Sequence, residues 1–459
     1  MVKIFNMEGM LMSLVSNKTQ VAVVGAGFAG IVAALKLVDE GLEVVVLEAQ
    51  NRVGGRVFSV ENEHGTLVDL GAQWIGPSMK RISRLIEQEG LTKVKTFYQG
   101  KSIYTLADKV RFGHGNRPPI SPLFLMDRLQ FMHKMTSASR KLDPNAPWNS
   151  ANGRQIDEES VASFIEKNVY TKWGKEYWRV LVAEALCKEV SEVSLLDFLW
   201  GLRTNGTIEN TLAAEDEWIK ESAYSLIVKL SNKLGQRIKL QSPVRSIQYE
   251  NKSALVTTTQ GTWESERVIV AIPPVLAGKI TYSPHLPHKK ELLNQRLQQG
   301  RIIKCIVTYD RPFWREVGYN GIGYYDKEPV KATMDSSPPD RAEGVMIALV
   351  NGNDAKRLGL INPEQRREMV CTCLEKAFGS NAQNALSYID KDWSADEWSL
   401  GGYGGHFAPS SLTEYGSALY EPVGPIHWAG TETATEYRLY MEGAIQSGER
   451  AANEVLRHF

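Results

Sequence analysis

The segment from Val21 to Arg56, VAVVGAGFAGIVAALKLVDEGLEVVVLEAQNRVGGR, restricts what this chain can fold into more than any other part of it. A largely β-branched run, Val21 to Val24, leads into Gly25, Gly27 and Gly30. A helical stretch follows, and a second apolar run, Val44 to Leu47, stops at Glu48. Strand, glycine turn, helix, strand and acid in that order make a dinucleotide-binding βαβ unit. Gly25 lets the chain turn sharply, Gly27 lets backbone approach a pyrophosphate, and Gly30 lets the helix pack on the strand. The helix N-terminus attracts the phosphate charge. Glu48 is placed to accept hydrogen bonds from ribose hydroxyls. Glycines also end helices and make turns, so the flanking strands and the acid are what give the spacing its weight.

The residues after Glu48 separate NAD from FAD. An NAD site has no general use for Arg52, Gly54, Gly55 and Arg56 directly behind the ribose acid, whereas a flavin dinucleotide runs on through the protein and needs a second set of backbone contacts. With this segment, and with VDLGAQW at Val68 to Trp74, the chain resembles the flavin amine oxidase family, monoamine oxidases in particular. The resemblance returns in IHWAGTETATEYRLYMEGAIQSGERAANEVL, Ile426 to Leu456, which is similar to that family's second flavin-binding motif. It implies FAD as the cofactor, held by Gly25, Gly27, Phe28, Ala29 and Gly30 in the first turn and by Glu48, Ala49, Gly54, Gly55 and Arg56 after the second strand. It further implies contacts from Gly71, Ala72, Gln73 and Trp74, from Val244 and Trp393, and from Gly430, Thr431, Glu432, Tyr440 and Met441.

A chain of 459 residues exceeds one compact core and suggests two domains. Lys plus Arg and Asp plus Glu both number 53, so there is no global electrostatic drive toward nucleic acid or an anionic membrane. Cys187, Cys305, Cys371 and Cys373 are too few and too irregular for a disulfide framework. Cys371 and Cys373, two apart in an expected helix, do not share a face, which argues against a metal or redox pair. No metal is expected, and a reducing cytoplasm is the expected compartment. No apolar run reaches the roughly eighteen residues of a membrane span. Membrane-anchored members of the family carry a C-terminal spanning helix, and this chain ends at Phe459 directly after its last helix, so a soluble enzyme is expected. The sequence leaves a homodimer open.

Along the chain, residues 18–93 read as nucleotide-binding α/β, while Leu123 to Thr207 carries helical periodicity. From about Ile238 short strands return. Ile302 to Tyr309, Gly344 to Val350 and Ser387 to Asp390 suggest an antiparallel sheet, with a helix across Glu364 to Ala377. The expected fold class is α/β: a Rossmann-like FAD domain of glutathione-reductase or amine-oxidase type, interleaved with an α+β substrate domain. Residues 18–93, 220–293 and 396–459 are assigned to the first and 94–219 and 294–395 to the second, with 1–17 a loose extension.

Taking a hydride from the carbon beside an amine requires a neutral nitrogen lone pair, a flavin about 3 to 3.5 Å from that carbon and a dry, shaped pocket. Two facing aromatic rings can guide the amine and exclude water. The resemblance implies that this pair is Tyr403, in the glycine-rich WSLGGYGGHFAP, and Tyr440, in LYMEGA at the start of the final helix. Lys304 is the third catalytic candidate. The alternation sets Ile302, Lys304 and Ile306 on one strand face and Ile303, Cys305 and Val307 on the other, both apolar. A lysine there must find polar partners or lose its charge. The resemblance implies that Lys304 contacts the flavin through a water and assists the reaction with oxygen.

Two departures from the best-known relatives matter. Those attach FAD through a cysteine immediately before the first cage tyrosine, and here that position is Gly402, so noncovalent FAD is expected. In Trp218 to Leu226, Glu221, Ser222 and Tyr224 replace a glycine-rich turn, which leaves Glu221 to Ser225 as an expected change in the pocket ceiling. Leu439, Glu436 and Arg438 crowd the loop before Tyr440. Glu436 is a candidate for the distant ammonium of a diamine and Arg438 for an amino-acid carboxylate, against the ordinary reading of solvated loop charges. His406 reads as structural or exposed. The expected reaction is oxidative deamination of a primary amine, by default a hydrophobic or aromatic one, with oxygen as acceptor and imine or aldehyde, ammonia and hydrogen peroxide as products. L-amino-acid oxidase, polyamine oxidase and an amine dehydrogenase with a protein electron acceptor are the alternatives. A purely structural flavoprotein has no use for Lys304 together with both tyrosines.

Overall fold

The computed structural model describes residues 16–459. The extension expected over 1–17 lies outside these for residues 1–15, but Ser16 and Asn17 belong to the first strand, where they pair with Thr262 and Trp263. In that strand Val21 to Val24 run parallel to Val44 to Leu47 on one side and to Arg267 to Val270 on the other. A parallel strand covered on both faces reads as a continuous apolar run, which is the pattern seen. The helix that follows, Phe28–Asp39, is buried on nearly every side because the sheet and the last helix, Met441–Leu456, enclose it. Gly448 permits that approach, since a Cβ there would stand 2.3 Å from the carbonyl oxygen of Ala29.

The nucleotide-binding sheet has eight strands, in the order Ile238–Lys239, Val44–Leu47, Ser16–Val24, Gly261–Val270, Ala254–Thr258, Val244–Tyr249, Thr281–Ser283, with Ile426–Trp428 beside the end of Gly261–Val270. A seven-stranded sheet lies apart from it, ordered Ser387–Asp392, Ile302–Tyr309, Gly344–Asn351, Ala332–Asp335, Tyr319–Tyr325, Lys101–Leu106, Lys109–His114. Its first three strands are antiparallel neighbours, and Lys304 sits in the middle one between Leu349 and Lys391. On one face Ile303, Cys305 and Val307 pack with Val370, Leu374 and Phe378 of the helix Pro363–Phe378. On the other, Ile302 and Ile306 meet Val68, Leu70 and Trp393.

The remaining layer is helical. Pro122–Arg140, Lys172–Leu186 and Leu195–Thr204 begin at Ser121, Thr171 and Ser194, each of which accepts a hydrogen bond from a first-turn amide. They share a core of Phe124, Phe131, Trp173, Tyr177, Trp178 and Trp200. Among the described residues no helix is long and apolar enough to cross a membrane, and no cluster of His, Cys, Asp or Glu could hold a metal ion.

Candidate active site

The glycine turn is built by close backbone packing. A Cβ on Gly30 would lie 1.9 Å from the carbonyl oxygen of Gly25, and Gly25 itself has φ of +100°. Over Gly27 the space is open, the nearest heavy atom to a Cβ being Gly54 O at 3.9 Å. Gly27 caps the helix Phe28–Asp39 without a side-chain hydrogen bond, and no acid stands in the first turn. The amides of Phe28, Ala29 and Gly30 are therefore left for a phosphate. Buried Glu48 accepts from the amides of Ala26 at 2.7 Å and Gln50 at 2.8 Å, so its carboxylate also clamps the turn to the end of the second strand and to Ala49. Burial pushes its pKa up, against those amide donors. Val244 enters beside it, two residues after Ser242, whose amide donates to Glu48 O at 2.7 Å.

The second glycine pair docks on the first, with Gly54 N donating to Ala26 O at 2.9 Å and Gly55 against Gly27. Arg56 then reaches across to Glu432, Nη1 to Oε1 at 2.6 Å and Nη2 to Oε2 at 3.1 Å, and also donates to Tyr403 O at 2.8 Å. Burial alone would raise the Glu432 carboxyl, but the guanidinium holds it below its ordinary value. Gly430 N is held by Ser447 Oγ, and Thr431 Oγ1 donates to Tyr440 O at 2.8 Å. Tyr440 caps the last helix without a side-chain hydrogen bond, which leaves a second free helix N-terminus at Met441. These open glycine cradles and uncapped helix starts match an extended, anionic dinucleotide such as FAD.

One cavity of about 400 Å³ gathers Arg56, Gly71, Ala72, Gln73, Trp74, Lys304, Trp393, Gly402, Tyr403, Tyr440 and Met441. Gly71 is needed for the backbone to pass, since a Cβ would meet Arg56 O at 2.3 Å. Lys304 is buried with Nζ donating to Gln73 Oε1 at 2.9 Å and Gly71 O at 3.1 Å, over the Trp74 ring at 4.8 Å. Burial brings its pKa down to about 8, against the opposing charges of Asp69 and Glu215. Gln73 is in turn fixed by Ser336 Oγ at 2.6 Å, and Trp393 Nε1 by Leu70 O at 2.8 Å. Tyr403 OH donates to Glu184 Oε1 at 3.1 Å.

Glu184 and Glu215 line this cavity and were not anticipated from the sequence. Glu184 carries a visible signal, an acid inside the apolar run VLVAEAL, whereas Glu215 hides in the acidic stretch AAEDE. One of the loop charges needs correction. Arg438 is neither solvated nor free for a substrate carboxylate: it is 2% exposed and bound to Asp197 Oδ1 at 3.0 Å, Gly405 O at 2.9 Å and Glu432 O. His406 completes that buried cluster, its Nδ1 at 2.9 Å from Asp197 Oδ2. Glu436 does not line the cavity and pairs with Arg81 at 2.7 Å. The segment Glu221 to Ser225 is likewise absent from the cavity wall. Glu221 accepts from Thr92 N, Ser222 caps the helix Ala223–Asn232, and Tyr224 packs on Gly54 and Phe58.

Residues 28–456 match the family model described as flavin containing amine oxidoreductase. The chain is 36% identical over 450 residues to amine oxidase [flavin-containing] B of Sus scrofa, spanning 96% of this chain and 86% of that one. It is 34% identical over 452 residues to amine oxidase [flavin-containing] A of Bos taurus, at 95% and 84%. Among solved structures, putrescine oxidase bound to putrescine superposes with a TM-score of 0.92 at 26% identity, covering 96% of this chain and 100% of that one. Cyclohexylamine oxidase from Brevibacterium oxydans IH-35A gives 0.91 at 26% identity, covering 96% and 99%. A matched family model over nearly the whole chain leads to one conclusion: the chain belongs to the flavin containing amine oxidoreductase family and is an FAD-dependent amine oxidase.

Proposed function

We propose that the protein oxidises a primary amine to the imine, which water hydrolyses to aldehyde and ammonia, with oxygen as electron acceptor and hydrogen peroxide as second product. The observation that carries this reading is the meeting of Lys304, Tyr403 and Tyr440 in one cavity beside the Gly71 to Trp74 backbone. The flavin, when bound, supplies an acceptor for the hydride and a route for two electrons to oxygen. The protein's own residues do the rest. The Tyr403 and Tyr440 rings orient the amine and keep water from the reacting carbon. Their backbones are tied to the cofactor motifs through Arg56 and Thr431, so the rings are set by the same segments that bind FAD. Lys304 holds a donor and a positive charge where reduction of oxygen builds negative charge. Gly402 offers no atom for a covalent link, which supports noncovalent FAD. Four free, buried cysteines support a reducing, cytoplasmic setting. Anaerobic mixing of the flavoprotein with a panel of amines and L-amino acids, followed by oxygen, tests the reading. Bleaching by amines and recovery with peroxide formation are expected, and bleaching by amino acids alone would overturn it.

A further inference from the structure

Glu184 lies on the helix Lys172–Leu186 and Glu215 just before the strand Glu217–Ile219, and both carboxylates line the cavity. Neither forms an ion pair among the described residues. Glu184 has the Tyr403 hydroxyl as a donor, and no donor to the Glu215 carboxylate is present among those residues. Of the cations in the cavity wall, Arg56 and Arg438 are ion-paired, and Lys304 is held by Gly71 and Gln73 while its charge also acts on Glu215. Arg128 stands against Tyr104 and Tyr177, and Arg117 pairs with neither acid. Most of the remaining wall is aromatic and aliphatic, including Tyr324, Trp178, Phe198 and Leu181, with Asn116, Asn205 and Thr211 as polar members.

Two carboxylates in such a wall are costly to keep without a positive partner, and each disfavours ionisation of the other. Burial first, and the second carboxylate next, push Glu184 up to about 8, and Glu215 is raised to about 7 mainly by burial. A bound cation would relieve both. The nitrogen that reacts cannot be that cation, because its lone pair must be free when hydride leaves the neighbouring carbon. A charge that persists through the reaction must therefore belong to another part of the substrate. The Tyr403 phenol sets its distance: the ring guides the reacting amine and its hydroxyl touches Glu184, so the two substrate ends are separated by about the span of that side chain.

The geometry points to Glu184 and Glu215 as the subsite for a second, distal ammonium group, and so to short aliphatic diamines as the preferred substrates. This rests on the amine oxidase reading above. The aromatic walls contribute cation–π attraction and shield the ion contact from water.

The test compares kcat/KM for 1,4-diaminobutane with that for 1-aminobutane, which differs only in lacking the distal charge. In the parent the ratio should favour the diamine by about ten- to a hundredfold, the worth of one or two charged hydrogen bonds. In Glu184→Gln and in Glu215→Gln, which keep shape and lose charge, the ratio should fall toward one, with FAD content measured to show that the site is intact. A parent ratio at or below one overturns the subsite. An equal loss with both substrates, leaving the ratio unchanged, overturns it too and makes the pair a proton acceptor for any amine. If neither of these amines bleaches the flavin while another amine of the panel does, the subsite is overturned and the amine oxidase reading stands; if no amine bleaches it, that reading itself fails.

Discussion

Arg56 and Glu432 form a bidentate ion pair, at 2.6 and 3.1 Å, that joins the first flavin-binding stretch to the last across most of the chain. Glu432 has no exposed side-chain surface and Arg56 retains 21%. Replacing Arg56 with Ala would leave a buried carboxylate without its counter-ion, at a cost of about 3 kcal/mol. The Arg56→Ala variant should melt several degrees below the parent and purify with less FAD. Unchanged melting and full FAD content would show the pair to be incidental.

The flavin should leave the polypeptide on acid precipitation and appear in the supernatant, since Gly402 carries no attachment atom. Absorbance of the redissolved pellet checks this directly. Yellow colour retained in the pellet would mean that another residue forms a bond to the flavin.

Tyr403→Ala and Tyr440→Ala should each lower the rate of flavin reduction by amine on the order of ten- to a hundredfold, because the reacting carbon loses its guide. The FAD content should stay close to that of the parent, since both tyrosines reach the cofactor motifs through backbone atoms. Rapid-mixing measurements per bound flavin decide it, and a parent-like rate would reduce either ring to packing.

The two cavity acids predict a pH effect of definite sign. Glu215 is raised to about 7 and Glu184 to about 8, each chiefly by burial. The folded state therefore holds protons that the unfolded chain has released above its ordinary carboxylate pKa. The stability associated with these protons is fully present in acid and is lost as pH rises toward about 7 and 8. Glu215→Gln removes that loss, so its melting temperature relative to the parent should rise between pH 5 and pH 8. A difference independent of pH would show that Glu215 titrates normally.

The sequence was most legible where backbone geometry dictates residue type. Gly25, Gly30 and Gly54 are required by close contacts and positive φ, and the even burial around Lys304 follows from strand alternation. The tyrosines came from motif resemblance alone, because a lone Tyr says nothing about the cavity it faces. Arg438 was misjudged because Asp197, which claims it, lies far away in sequence, whereas Glu436 is exposed and keeps the ordinary reading of a solvated loop charge. The strands Lys101–Leu106, Lys109–His114 and Tyr319–Tyr325 were not anticipated, since the parallel pairing of Tyr319–Tyr325 with Lys101–Leu106 joins segments far apart in the chain. Glu215 was hidden because an acidic run looks solvated until the wall behind it is known.

Lys304→Met tests the central claim most directly, because it should separate the two halves of the reaction. Methionine keeps much of the stem and removes the charge and the donors to Gly71 and Gln73. Reduction by amine should persist at a moderately lower rate. Stopped-flow mixing of the prereduced variant with oxygenated buffer should show reoxidation slowed by about tenfold or more, roughly 1.4 kcal/mol. Reoxidation at the parent rate would contradict the account and leave Lys304 as a structural lysine.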